Sequence, residues 1–363
     1  MFRKIFGFTI LGLYLLVMSV AITEGPLISY QSLILALLGL IVITIIISSL
    51  AKSIGLVDMP DNIRKMHTGN VPLIGGIIIF ISIIFGTFVF GVEPFYRIII
   101  ISLIPILIVG TLDGIESVEV PVSFRFIAQI LSSWIVILFT EVYLKDLGNL
   151  FGQGVVHLNQ FGIPFTIFAV VGMCNAFNML DGKDGLGGSV AVVIISSLFI
   201  LLYFNGIHYY WGLILILSLA VFLAFNLNLF GHEQKIFLGE HGSSSLGHLI
   251  AWNLVYLSQE TDFITPVTAL WFVFYPLTDA LLTITRRIRI SQSIVKADRR
   301  HLHYLLSDYG FSDQKILLVV VLVSILGATL AIIANILNIQ DYYLFYGYIT
   351  VAVCLWILGR TQS

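Results

Sequence analysis

The chain has 363 residues, of which 58% are hydrophobic and only 10% are charged, with a formal net charge of −2. A soluble domain of ordinary composition carries about 25% charged residues, so a water-facing surface cannot be built here and lipid must be the solvent for most of the chain. Open sheets are excluded, because their edges would leave backbone groups unpaired in hydrocarbon, and the long continuous apolar runs exclude the short alternating segments of a lipid-facing barrel.

Taken in order, the apolar runs fall at 5–22, 32–50, 71–91, 95–112, 124–144, 161–180, 187–205, 209–228, 243–258, 266–284, 316–338 and 342–359. Each is close to the roughly 20 residues that span a bilayer core. The expected fold is therefore all-α and polytopic, with about 11–12 transmembrane helices in a single domain. The first run follows Arg3 and Lys4 like a signal sequence, but no small-residue cleavage site stands near Ile22–Pro26, so it is read as a helix. With the N-terminus inside, 16 of the 18 Lys and Arg residues lie on the inner side and only Arg97 and Lys145 outside, as the positive-inside rule requires. Tyr209, Tyr210, Trp211 and Tyr342 stand at span ends and read as interface anchors. Cys174 and Cys354 lie inside apolar runs and read as packing residues, with neither a disulfide framework nor a zinc spacing.

This topology gathers the unusual polar residues on the inner side. Lys65 and His67 lie in the first inner loop, Asp113 in the second, and Asn175, Asn178, Asp181, Lys183 and Asp184 at the third. Lys235, Glu240 and His241 lie in the fourth, and Asp279, Arg299, Arg300, His301 and His303 in the last. Asn175, Asn178 and Asp181 are spaced i, i+3, i+6 and share one helix face. Asp184 follows in a glycine-rich turn whose backbone can approach a ligand. Plainer readings exist: helix-pairing amides for the Asn pair, a helix cap for Asp113, a helix-pairing group for Asp279, a surface position for His67, and a headgroup patch for the basic run near His301. Carboxylates at an inner membrane face suit Mg²⁺, which takes one or two of them plus substrate phosphates. Asp113, Asp181, Asp184 and Glu240 could supply such ligands, and nearby Lys and Arg could hold the remaining phosphate charge. Together they fit phosphoryl transfer, where positioning and charge neutralisation provide most of the rate. A transporter would place its polar groups at the midplane instead.

Several of these segments resemble the polyprenyl-phosphate N-acetylhexosamine 1-phosphate transferases over roughly residues 51–315. The matching stretches are Gly55-Leu56-Val57-Asp58, Arg64-Lys65-Met66-His67, Pro72-Leu73-Ile74-Gly75-Gly76, Phe237-Leu238-Gly239-Glu240-His241-Gly242-Ser243, Pro276-Leu277-Thr278-Asp279 and Asp298-Arg299-Arg300-His301-Leu302-His303. The most specific is Asn175-Ala176-Phe177-Asn178-Met179-Leu180-Asp181-Gly182-Lys183-Asp184-Gly185-Leu186. The resemblance implies transfer of a sugar 1-phosphate from a UDP-N-acetylhexosamine to undecaprenyl phosphate, with release of UMP, at the cytoplasmic face of a bacterial inner membrane. It implies Mg²⁺, with Mn²⁺ as an admissible substitute, and allows a homodimer; no nucleic-acid partner is expected.

By the same resemblance, Asp113, Asp181, Asp184 and Lys65 are the catalytic candidates. His67, Asn175, Asn178, Lys183, Arg300, His301 and His303 are substrate-binding candidates, and Glu240 with Asp181 would hold the metal. The chain departs from the family pattern at three places. Gly114 follows Asp113 where the family has a second Asp, Glu240 replaces an Asp, and Tyr304 replaces a His. The run at 5–22 also precedes the shared core at about 32–338. These departures keep a second expectation open, a family member that binds lipid phosphate or nucleotide as a scaffold without turnover.

Overall fold

The computed structural model describes residues 30–60, 69–207, 209–261, 263–293 and 301–360. The expected helix at 5–22 and the candidates Lys65, His67 and Arg300 lie outside the described residues. The helices are α1 (Tyr30–Ile54), α2 (Gly75–Phe90), α3 (Pro94–Ser102), α4 (Ile104–Asp113), α5 (Val122–Thr140), α6 (Gly162–Leu180) and α7 (Leu186–Phe204). They continue as α8 (Tyr210–Asn226), α9 (Glu240–Gln259), α10 (Pro266–Phe272), α11 (Phe274–Arg289), α12 (Leu302–Asp308), α13 (Asp313–Ile336) and α14 (Asp341–Arg360). Every apolar run from 32 onward contains a helix or a broken helix. Six spans are long and apolar enough to cross a bilayer by themselves, the bent pair α10–α11 makes a seventh, and α2, α8 and α14 are shorter apolar helices. The chain is a multi-pass, all-α membrane protein.

Two spans are broken, and proline accounts for both. Pro105 and Pro276 have no N–H to donate to the residue four before and crowd its carbonyl. At Leu103 the backbone stays helical (φ −71°, ψ −20°) and α3 and α4 continue as one span, Pro94–Asp113. At Val273 (φ −102°, ψ 24°) the axis turns by 86° between α10 and α11.

α9 is the centre of the bundle. It packs against α6, α4, α2, α10, α7 and α5, and His241 through Val255 are buried without interruption. A helix shielded from lipid can carry Ser243, Ser244, Ser245, His248 and Asn253, which on a lipid face would each be costly. Lipid instead meets α1, α4, α5 and α13, where Ile46, Ile108, Leu138, Phe139 and Leu326 are exposed.

Two expectations about single residues are corrected. Tyr209 and Trp211 are core rather than interface residues: Tyr209 donates to Asn253 Oδ1 at 2.5 Å, and Trp211 stacks on Tyr96 at 4.8 Å. Cys174 is buried as expected, but Cys354 is exposed on α14.

The run at 71–91 does not start as helix. Val71–Pro72 pairs antiparallel with Val57–Asp58, forming the two short strands β2 and β1. Leu56 bridges to Ile115 and Leu73 to Phe237, so three loops at one end of the bundle are laced together by backbone. Lys145–Glu260 at 2.8 Å and Asn149 N–H to Asp341 at 2.9 Å tie the loops of the opposite end.

Candidate active site

The site is built on the start of α9. α2 has no side-chain N-cap, so its first amides need other acceptors. Gly75 and Gly76 N–H donate to the carbonyls of Phe237 and Leu238 at 2.9 and 3.1 Å. These bonds staple the 237–239 loop to α2 and deliver Glu240 as the first residue of α9. The approach is so close that side chains are forbidden beneath it. A Cβ on Gly76 would lie 2.5 Å from Gly242 Cα, and one on Gly110 would lie 2.7 Å from His241 Cα.

Glu240 is held from three sides. Oε2 accepts from Arg125 Nη1 at 3.2 Å and from the Asn178 amide, while Oε1 accepts from Ser244 at 3.3 Å. Arg125 also reaches Asp113 Oδ2 at 3.6 Å, so its guanidinium bridges the end of α4 and the start of α9. Asn175 lies one layer behind, donating to Gln129 Oε1 at 2.8 Å, and Gln129 in turn donates to Ser244 at 3.2 Å. Beside the guanidinium, Ile106, Val109, Ala128 and Gln129 line an open groove between α4 and α5 that reaches Glu240 and Ser244.

Asp181 caps the C-terminal end of α6. Burial, then the neighbouring carboxylates of Asp184 and Glu240, pushes its pKa well above the usual range. Carboxylates that repel one another in this way are relieved by a bound cation. Among the described residues no three His, Cys, Asp or Glu side chains form a ready-made cage. Asp181 and Glu240 are carboxylate oxygen donors, the ligand type that Mg²⁺ takes, one or two at a time, alongside substrate phosphates.

The turn after Asp181 is clamped on both flanks. Asp184 pairs with Lys235 at 2.7 Å, and Gly185 N–H donates to Asn226 Oδ1 at 2.7 Å. On the other flank the last inner segment folds over Gly182. Tyr304 OH donates to Gly182 O at 3.5 Å, and a Cβ on Gly182 would lie 2.5 Å from His303 Nε2. Burial pushes His303 down to about 4, so its ring is neutral at pH 7. His301 stacks parallel on His303, 5.6 Å between centroids.

The structure thus brings Asp113 and Glu240 to Arg125, with Asn178 on Glu240 and the carboxylates of Asp181 and Asp184 beside it, while His303, with His301 stacked on it, packs against Gly182 of the adjoining turn. Lys183 sits on the same turn, but its ammonium bonds Asp313 at 2.5 Å and Ser307 at 3.4 Å. If it serves as a latch to α13, Lys183→Met will leave the KM for the sugar nucleotide unchanged and cost less than about 1 kcal/mol of stability, as exposed ion pairs do. A raised KM would assign it to the substrate instead. In the sequence, Arg125 is one of the 16 inner-side basic residues. A signal was present, since Arg125, Gln129, Ser132 and Ser133 form a polar stripe at i, i+4, i+7 and i+8 on an apolar helix.

Gly114 has an ordinary backbone (φ −81°, ψ −10°), so its lack of a side chain answers to space rather than to conformation. A Cβ there would lie 2.8 Å from Cδ1 of buried Leu56 and 3.3 Å from Cδ1 of Leu73. The tip of buried Leu56 would have to shift for any side chain at this position. Gly114→Asp alone is therefore expected to lower the Tm, by about 1–3 kcal/mol of overpacking, and not to raise activity. Pairing it with Leu56→Ala should recover the Tm.

The sequence pattern of glycosyl transferase family 4 matches residues 96–258, which include Asp113, Arg125, Asn178, Asp181 and Glu240. The chain is 34% identical over 292 residues to an undecaprenyl-phosphate alpha-N-acetylglucosaminyl 1-phosphate transferase of Escherichia coli K12, covering 78% of each chain. A protein of the same description from Yersinia pestis is 34% identical over 289 residues, again 78% of each. One from Haemophilus influenzae is 32% identical over 322 residues, 87% of this chain and 90% of the relative. Relatedness of this extent, over the helices that build the site, shows that the chain belongs to glycosyl transferase family 4, the polyprenyl-phosphate N-acetylhexosamine 1-phosphate transferases.

Proposed function

We propose that this protein transfers N-acetylglucosamine 1-phosphate from UDP-N-acetylglucosamine to undecaprenyl phosphate at the cytoplasmic face of a bacterial inner membrane, releasing UMP. The observation that carries the reading is the convergence of Asp113, Arg125, Asn178, Asp181 and Glu240 at one end of a lipid-embedded bundle. The relatives' names supply the sugar and the lipid. Lys52, Arg125, Lys183, Lys235, Arg286, Arg287, Arg289 and Lys315 follow the same end in sequence, while Arg97 and Lys145 belong to the other, which supports the cytoplasmic orientation. A homodimer is compatible with this reading.

In the reaction, an oxygen of the lipid phosphate forms a bond to the β-phosphorus, which bears the sugar. The bond from that phosphorus to the bridging oxygen breaks, and UMP leaves with the electron pair. Asp113, at the end of α4, accepts the proton of a monoanionic lipid phosphate or orients the dianion. Arg125 brings positive charge to the attacking phosphate once it lets go of the carboxylates. Asp181 and Glu240 would hold Mg²⁺, which when bound neutralises charge on the diphosphate. Asn178 keeps Glu240 oriented, and the clamped 181–185 turn keeps Asp181 in place. Direct attack is preferred to a covalent route through Asp113, because it needs that side chain only to hold or accept a proton; a trapped phospho-enzyme would reverse this preference.

The test is purified protein with undecaprenyl phosphate, Mg²⁺ and radiolabelled UDP-sugars. Labelled lipid from UDP-N-acetylglucosamine with equimolar UMP is expected. EDTA should stop the reaction and Mg²⁺, or less effectively Mn²⁺, should restore it. Failure to label lipid with any UDP-sugar would remove the proposal.

A further inference from the structure

Asp279 lies outside the carboxylate cluster. It sits on α11, within two turns of the break at Val273, and is only 7% exposed. A carboxylate buried to this degree at the edge of a lipid-embedded bundle is costly unless its oxygens are satisfied. Both oxygens are occupied, and by different kinds of donor. Oδ1 accepts from the backbone N–H of Leu302 at 2.8 Å, and Oδ2 meets Nδ1 of His301 at 3.0 Å. Thr283 Oγ1, one turn further along α11, lies 3.2 Å from the same Nδ1. His301 is itself 3% exposed and is stacked flat on His303, which rests against Gly182 of the Asp181–Asp184 turn.

We propose that Asp279 is a positioning residue that acts through His301: it fixes the ring's orientation and draws its proton to Nδ1, so that Nε2 is presented as an acceptor to a hydroxyl or amide N–H of the sugar. The inference rests on the transferase reading above and adds to it a residue given no role there. A carboxylate behind an imidazole does two things. It selects the tautomer, and it holds the ring plane. Asp279 touches no substrate in this scheme. Among the described residues, Thr283 is the other group that meets Nδ1, and it brings no charge.

A structural role has to be separated from this one. The Oδ1 contact to Leu302 N–H caps α12, and a cap needs only an oxygen acceptor. Asn and Ser supply that acceptor, but neither supplies the negative charge for Nδ1–H. Asp279→Asn should therefore keep the Tm and the KM for UDP-sugar close to wild type while kcat falls by about 10–100-fold, the usual range for a group orienting a functional ligand. Asp279→Ser should show the same split. His301→Gln should lose at least as much, and the double variant Asp279→Asn/His301→Gln should be no slower than His301→Gln alone, because the two residues act as one unit.

Unchanged kcat in Asp279→Asn would overturn the proposal. So would losses that multiply in the double variant, since Asp279 would then act independently of His301. Failure of both the Asn and the Ser variants to fold would also overturn it, by making the residue a structural cap. Wild-type activity in the same assay separates the two levels. An inactive wild type sinks the transferase reading and this inference with it, whereas an active wild type with an unaffected Asp279→Asn sinks the inference alone.

Discussion

Glu240→Gln is expected to abolish measurable lipid product, a loss of at least about 10²-fold in kcat, as for removal of an electrostatic stabiliser of developing charge. The Tm should barely move. The glutamine amide keeps the length of the side chain and can still meet Ser244 and Asn178, which hold the carboxylate at 3.3 Å and in direct contact. What it loses is the charge that Arg125 balances at 3.2 Å and that would help hold a divalent cation. Glu240→Asp is the informative partner. Aspartate retains the charge, but the shorter side chain withdraws from Arg125. Partial activity is expected, with a higher Mg²⁺ requirement. If Glu240→Gln retains wild-type kcat over a Mg²⁺ titration, Glu240 is not part of the phosphate-neutralising set and the site must be redrawn around Asp181 and Asp184.

Contacts between residues near in sequence are legible from spacing, whereas Glu240 and His301 stand out by residue type and family resemblance and not by their distant partners. The Asn175–Asn178–Asp181 face follows from helical spacing alone, and its neighbourhood with Asp184 follows from a short glycine turn. Arg125 is different: its two partners lie 12 and 115 positions away, at Asp113 and Glu240. From sequence, a basic residue at a span end looks like topology, because the positive-inside rule explains it without a partner. Asp279 was ambiguous for the same reason, since His301 is 22 positions away across a loop.

The helices themselves were readable because lipid imposes long apolar runs. Which helix lies innermost was not readable, because α9 is the least apolar of the long helices and is nonetheless the most enclosed. Its serines and histidines are tolerated where protein, not lipid, surrounds them. The break at Val273 could have been drawn from Pro276, but the size of the turn, 86°, depends on what α11 packs against, and it packs against α6, α13 and α14.

The contact between α6 and α9 carries the second large expected effect. A Cβ added at Gly247 would lie 2.4 Å from the carbonyl oxygen of Met173 and 2.6 Å from Cα of Cys174. Those are backbone atoms, so no side chain can rotate away and the two helices must separate. Small residues permit such approach in lipid, where packing rather than hydrophobicity holds helices together. Gly247→Ala should therefore lower the Tm by the equivalent of about 1–3 kcal/mol of overpacking.

The activity loss should be larger than that stability loss suggests. Gly247 lies two turns from Glu240 along α9, and Cys174 about one turn from Asn178 along α6. Widening the gap there pulls Asn178 off Glu240, and a 1 Å misplacement of a catalytic group can cost about 10²-fold in rate. Gly172, nearly level with Cys174 on α6, is the control, because nothing lies within 4 Å of a Cβ built there. Gly172→Ala should leave both Tm and kcat unchanged. Equal behaviour of the two variants in thermal unfolding and turnover would mean that α6 and α9 are not in the tight contact that brings Asn178 to Glu240, and the geometry of the whole carboxylate cluster would fall with it.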